Sequence, residues 1–203
     1  RALGLAVTPE EVHPLIDTPT ARRMSLDLKE GRGEDWPLAT RRYRFFIREK
    51  LQGRSRTREA CGPRDPRIAA WRARQVQRCQ SVLGMGKADA IIHAPAAFEL
   101  ARGCSVGCWF CGVDAPRLED LWPYTPENAA VWEWTLQAVQ GVLGDAAAEA
   151  FLYWATDPLD NPDYERFLED FQARMGVIPQ TTTALALRDP GRTRRILLQA
   201  RAG

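Results

Sequence analysis

Two histidines, His13 and His93, are all that 203 residues contain, and no cysteine follows Cys111. Structural zinc draws four ligands, commonly two Cys pairs or a Cys pair with a His pair, and neither histidine stands at a familiar finger or ribbon spacing from the cysteines. Zinc is therefore a minor alternative. No run approaches the eighteen apolar residues of a membrane-spanning helix, and no charged, apolar, small-residue leader opens the chain. A reducing, cytoplasmic setting with no membrane is the expectation, and the odd count of five cysteines argues against a disulfide framework. No internal repeat is visible. A basic-aromatic run of the kind that binds RNA is also missing, so nucleic acid is not an expected partner.

What is present is an ordinary globular composition, 45% hydrophobic and 27% charged, with a net charge of +2 that conceals an asymmetry. Between Arg41 and Arg78 thirteen Lys or Arg face three acids, whereas between Ala101 and Met175 thirteen acids face four Arg. A basic surface of this kind docks an acidic peptide or a nucleic-acid backbone, unless Arg42, Arg48, Arg72, Arg74 and Arg78 are simply the solvated faces of amphipathic helices.

The first ninety residues read as helical. Thr8-Pro9-Glu10-Glu11 is a capping box with proline in the first turn, so a short helix follows it. A second helix is predicted over Leu38 to Leu51, closed by Gly53, then an Arg-, Gly- and Pro-rich loop to Pro66, then a helix from Arg67 to Leu83. Cys61 and Cys79 are expected to be structural. After residue 90 the pattern changes to strand and helix in alternation: strands at 96–100, 151–155 and 177–185, and helices opening at Thr125-Pro126, near Asn161 and at Asp189. The expected fold class is therefore α/β, with parallel strands, preceded by a mainly α-helical region. The boundary falls between residues 90 and 91, and peptide docking is the expected role of the first part. In such units ligands gather at the carboxyl ends of the strands, where Gly103 to Gly112, Thr156 to Asp160 and Thr181 to Thr183 would lie. Glu99, an acid in a strand fit for burial, is expected to be paired or functional.

The chemistry-bearing motif is Cys104-Ser-Val-Gly-Cys108-Trp-Phe-Cys111. A C-x3-C-x2-C spacing supplies three thiolates where a four-iron four-sulfur cluster takes four ligands, which leaves one iron open. Gly103, Gly107 and Gly112 around it suit backbone wrapped tightly about something. With Phe110 before the last cysteine, the motif resembles that of the radical S-adenosylmethionine (SAM) enzymes. The string from Phe98 to Val113 is similar to that of the radical SAM peptide epimerases that mature ribosomally made natural products, and the similarity runs from about Pro95 to the Pro179-Gln-Thr-Thr-Thr-Ala-Leu region.

The resemblance implies a 4Fe-4S cluster on Cys104, Cys108 and Cys111, with SAM chelated at the open iron and cleaved to a 5'-deoxyadenosyl radical. That radical would remove the α-hydrogen of an L-residue in a precursor peptide, and hydrogen returned from the other face would give the D-residue. An electron donor such as flavodoxin or ferredoxin is a further implied partner. Phe110 would place its backbone against the adenine. Ala155-Thr156-Asp157-Pro158 stands where the family commonly has Gly-Gly-Glu-Pro, which implies a grip on the SAM amino group by Ala155, Thr156 and Asp157; an ordinary Asp-Pro turn is the alternative. Two departures are evident. Family epimerases return hydrogen from a cysteine far downstream of the motif, and none follows Cys111 here. A radical SAM barrel has six strand-helix units, and about three are counted, so a partial barrel is expected, as the front of a longer enzyme or a degenerate homologue. Cross-linking or methylation of a peptide, modification of RNA, and a non-catalytic metal-binding interaction module remain the alternatives.

Overall fold

A computed structural model of the chain describes residues 7–32, 34–60, 63–88 and 94–202. The expected boundary at 90 and 91 lies outside these residues, as do Cys61 and His93. The chain divides into two compact units, Arg1–Arg56 and Thr57–Gly203.

The first unit is helical. Thr8 forms the predicted capping box: its backbone N–H donates to Glu11 Oε2 at 2.8 Å, and Glu11 N–H donates to Thr8 Oγ1 at 3.4 Å. Helix α1 (Pro9–Ile16) ends at Asp17, which also caps α2 (Thr18–Lys29) by accepting from Thr20 N–H at 3.0 Å. One residue serves both ends, so the two helices meet at a corner without a loop. The sequence reading missed α2. Helix α3 (Leu38–Ala60) is tied to this corner through its first half. Thr40 Oγ1 donates to the Glu11 carbonyl, and the Arg44 guanidinium donates to Ala21 O at 3.0 Å and Ser25 Oγ at 2.7 Å. Pro14, Met24 and Thr40 are the buried residues here. Helix α3 also continues past Gly53 to Ala60, into the segment expected to be loop. Gly53 costs a helix interior only about 1 kcal/mol, and the Arg-rich stretch after it contains good helix formers and no proline before Pro63.

The second unit opens with α4 (Pro66–Leu83), capped by Asp65 and stopped by Gly84 at φ +79°, followed by the short α5 (Met85–Ala88). Strands β1 (Ala101–Arg102) and β2 (Asp120–Leu121) pair antiparallel. Helix α6 (Pro126–Leu143) starts at the predicted Thr125 cap, and α7 (Tyr164–Met175) ends at Gly176 with φ +74°. Helix α8 (Pro190–Ala202) closes the unit. Tyr164, Phe167, Leu168 and Phe171 recur at helical spacing on α7, and all four are fully buried against Trp132 and Leu136 of α6. Trp132 meets Phe98 and Phe167 edge-on at 4.8 and 5.6 Å. Such aromatic pairs add about 0.5–1.5 kcal/mol each to their burial.

The sheet differs from the expected one. The segment at 96–100 makes one parallel bridge, Ala97 to Phe151, with Phe98 N–H donating to Phe151 O at 2.8 Å and Phe151 N–H to Ala96 O at 3.1 Å. Beyond Phe151 the second expected strand stops, because Ala155 turns left-handed at φ +52°. Over 177–185 the backbone donors go to side chains instead of a ladder: Ala184 N–H to Asp157 Oδ2 at 2.7 Å and Leu185 N–H to Thr183 Oγ1 at 2.9 Å. Among the described residues no barrel, closed or partial, is formed, and α6 joins the two segments of the parallel bridge.

Candidate metal centre

The cysteine loop is closed at its neck by backbone. Leu100 O accepts from Trp122 N–H at 3.1 Å, Arg102 O from Glu119 N–H at 2.9 Å, and Pro116 O from Cys104 N–H at 2.9 Å. Gly103 allows this approach. It holds φ +83°, and a Cβ there would lie 2.2 Å from Arg117 O, well inside contact distance. Cys104 therefore sits at the neck, while Cys108 and Cys111 lie on the loop that the neck closes.

Inside the loop, Cys111 N–H donates to Cys108 O at 3.1 Å and Asp114 N–H to Cys111 O at 3.2 Å. The Cys111 sulfur accepts from Ala115 N–H at 3.4 Å. Backbone donors from Ala115 and Val113 hold the Cys111 thiol below its ordinary pKa, which favours the thiolate that binds metal. Cys104, Cys108 and Cys111 are free and half-buried. Phe110 and Trp109 point outward, 68% and 93% exposed, with their rings edge to face at 5.3 Å.

One cavity of about 280 Å³ has Cys104, Cys108 and Cys111 together with Ala155, Thr156 and Asp157 among its lining residues. The two motifs singled out in the sequence, about fifty residues apart in the chain, thus line one site. Phe110 is not part of the lining. Thr181 is turned away, with its hydroxyl on Tyr164 Oη at 2.9 Å, whose pKa burial pushes up. Glu99 lines a separate cavity of about 510 Å³ beside β1, and Arg102 pairs with Glu119 at 3.0 Å instead of with Glu99.

Asp157 is 5% exposed, and its carboxylate is engaged by the chain itself. It accepts from Leu159 N–H at 3.0 Å, from Thr183 Oγ1 at 2.8 and 3.0 Å, and from Ala184 N–H at 2.7 Å. A carboxylate offers about four acceptor positions, so this group pins the 183–184 segment against the cavity. Three residues that sequence reasoning missed complete the scaffold. Asp160 accepts from Ser105 N–H at 2.8 Å and Ser105 Oγ at 2.5 Å, which fixes the loop just past Cys104. Asn161 is buried and donates through Nδ2 to Leu100 O at 2.7 Å and Trp122 O at 2.9 Å, across the neck. Arg192 donates to Leu159 O at 2.8 Å and Asn161 O at 2.6 Å while paired with Glu165. The available signal was the crowding of Asp157, Asp160, Asn161 and Asp163 into seven residues between two apolar segments.

Among the described residues no three His, Cys, Asp or Glu side chains are placed to hold a single metal ion. A cluster makes a different demand. Thiolates on one zinc, at about 2.3 Å each, must converge on a point, whereas thiolates on a four-iron cluster each take a separate corner. Cys104, Cys108 and Cys111 line one cavity, and backbone N–H groups bias Cys111 toward the thiolate, the form in which cysteine binds metal of either kind.

No family model matches the chain, and no solved structure matches it. The chain is 40% identical over 190 residues to an uncharacterized protein of Sinorhizobium fredii (strain NBRC 101917 / NGR234), y4wI. The match covers 92% of this chain and 37% of that relative, so the chain spans little more than a third of the length of the protein it resembles.

Proposed function

We propose that this chain carries the cluster and cofactor site of a radical SAM enzyme that modifies a peptide, with epimerisation of L- to D-residues as the reaction. The observation that carries the reading is the shared cavity: the cysteines of the C-x3-C-x2-C loop and Ala155, Thr156 and Asp157 line it together. The left-handed backbone at Ala155 adds support, because φ +52° is the conformation that favours glycine, and glycine is what the family has there. The reading carries a partial radical SAM (βα) barrel as its expected fold, and of that sheet the described residues hold one parallel bridge, Ala97 to Phe151, with α6 between its two segments.

In this proposal Cys104, Cys108 and Cys111 hold a 4Fe-4S cluster. When bound, the cluster and SAM together supply one-electron cleavage of the sulfonium and so the means to abstract a hydrogen atom. The chain's own residues bind and orient. Gly103 and Asn161 keep the loop neck shut, Asp160 holds Ser105 and with it the first ligand, and backbone amides at Ala115 and Val113 stabilise the Cys111 thiolate. Ala155 and Thr156 offer the cavity wall for the cofactor's amino acid portion. Asp157 is a positioning residue whose carboxylate orders that wall. The peptide and a flavodoxin- or ferredoxin-like electron donor would approach from the side where Phe110 and Trp109 are exposed.

Anaerobic reconstitution with ferrous ion and sulfide tests the reading. The expected outcome is a brown, oxygen-labile chromophore that is lost in Cys104→Ala, Cys108→Ala and Cys111→Ala and kept in Cys79→Ala. With dithionite and SAM it should form 5'-deoxyadenosine, and a substrate peptide in heavy water, given an added thiol as hydrogen-atom donor because no cysteine follows Cys111, should gain deuterium at an α-carbon without other mass change. A colourless protein that binds zinc tightly would sink the proposal in favour of a metal-binding module.

A further inference from the structure

The first unit holds a groove of about 820 Å³ between α2 and the first half of α3. Lys29, Arg41, Arg42, Arg44 and Arg48 line it, against one acid, Glu34. Among the described residues none of these five cations has a carboxylate within ion-pair distance. The Nε groups of Arg41 and Arg44 are buried with no acceptor. Burial of a guanidinium N–H without a partner is unfavourable, and an incoming acceptor relieves it. A smaller recess of about 400 Å³ shares Ser25, Lys29 and Arg44 with the groove and adds Arg22, so the positive lining continues past it.

The apolar part of the lining selects among anions. Leu38 and Phe45 are half exposed within the groove, and a free phosphate would leave them in water. Single-stranded nucleic acid stacks its bases on open aromatic faces and runs its backbone along exposed cations. Here Arg48 already lies over one face of the Phe45 ring, 5.2 Å from its centroid, and Arg41 and Arg44 are half-buried, so a base has one ring face fewer to stack on and the two deeper guanidiniums lie off an exposed backbone track. A carboxylate suits the guanidinium fork, and an aliphatic or aromatic side chain suits the Leu38–Phe45 floor.

We infer that this groove docks an acidic, amphipathic peptide segment, with at least two carboxylates on the Arg41, Arg42 and Arg44 side and an apolar side chain over Leu38 and Phe45. The occupant is a peptide because only a chain that alternates carboxylates with apolar groups satisfies both halves of the lining. The inference does not rest on the cysteine cavity.

The test uses the full chain without iron, so its failure and the failure of the cluster reading are separable. A short dye-labelled peptide alternating Glu pairs with Leu and Phe is titrated by fluorescence anisotropy, beside its Glu-to-Gln counterpart and a single-stranded oligodeoxynucleotide. Saturable binding is expected, weakened about tenfold or more in the Gln peptide and to a similar extent by Arg41→Gln and Arg42→Gln. Arg42 is exposed, so its substitution leaves the helices intact by circular dichroism, and Phe45→Ser should weaken binding without altering net charge. Arg23→Gln, an equal loss of charge outside the groove, should leave binding unchanged. Equal weakening by Arg23→Gln, tighter binding of the oligonucleotide than of the peptide, or no saturation would each overturn the inference.

Discussion

The two units use charge in opposite ways. In Arg1–Arg56 Arg41, Arg42, Arg44 and Arg48 of α3 line an open groove without carboxylate partners among the described residues, where the buried residues are Pro14, Met24 and Thr40. In Thr57–Gly203 the carboxylates are consumed by the fold: Asp157 takes the 183–184 segment, Asp160 takes Ser105, and Glu165 takes Arg192. Arg72 and Glu149 form a largely buried ion pair there as well. The contrast teaches where recognition and where rigidity lie. Cations without carboxylate partners leave the groove's charge open, as the inferred peptide docking requires, whereas carboxylates that accept from N–H and O–H donors hold loops in one shape.

The sharpest way to break this comparison is to remove core from each unit in turn. Phe171→Ala should cost the second unit about 3–5 kcal/mol, read as lost hydrogen-exchange protection over α6 and α7, because Phe171 is fully buried in a continuous aromatic cluster. Met24→Ala should cost the first unit less, about 2–3 kcal/mol read over α2 and α3, because few buried neighbours surround it. Equal losses would remove the distinction between a thick core and a thin one.

Next in size is Gly103→Ala. The added methyl must displace Arg117 and strain a residue at φ +83°, so a loss of about 3 kcal/mol is expected, together with loss of metal loading although all three cysteines remain. An unchanged melting temperature would mean that the neck is not closed.

A smaller effect concerns Tyr124, whose phenol donates to Asp170 at 2.5 Å. That bond raises the Tyr124 pKa from 10 to about 12. The folded protein therefore holds this proton more tightly than the unfolded chain does. Its contribution, about 1 kcal/mol, should be fully present below pH 10 and lost as pH rises through 12, and Tyr124→Phe should abolish that pH dependence in urea denaturation. The smallest expected change is Ala155→Gly. Relief of left-handed strain, about 1–2 kcal/mol, outweighs the entropy of glycine, about 0.5–1 kcal/mol, so the variant should be stabilised by about 0.5 kcal/mol. Destabilisation would indicate that the Ala155 methyl packs in the cavity wall.

Several of these features were legible in the residues alone. Thr8, Thr125 and Gly176 mark helix ends because caps and left-handed stops are local chemistry, decided within four residues. The apolar stripe of α7 was equally plain. The expected strands at 151–155 and 177–185 do not form ladders: the first pairs only at Phe151, and near the end of the second Asp157 and Thr183 accept from Ala184 and Leu185. For Asp157 the residues alone leave a grip on the SAM amino group and an ordinary Asp-Pro turn as alternatives, because whether its oxygens stand free depends on what Thr183 and Ala184 do 26 and 27 residues away.

Order along the chain alone determined the cap positions, the spacing of the three thiols and the segregation of basic from acidic stretches, because each is a property of near neighbours or of a count. Tertiary structure alone decided that Cys104, Cys108 and Cys111 share a cavity with Ala155, Thr156 and Asp157, and that Arg41 and Arg44 meet no carboxylate. Those outcomes turn on contacts between distant segments, where a donor takes whichever acceptor the folded chain brings within about 3 Å.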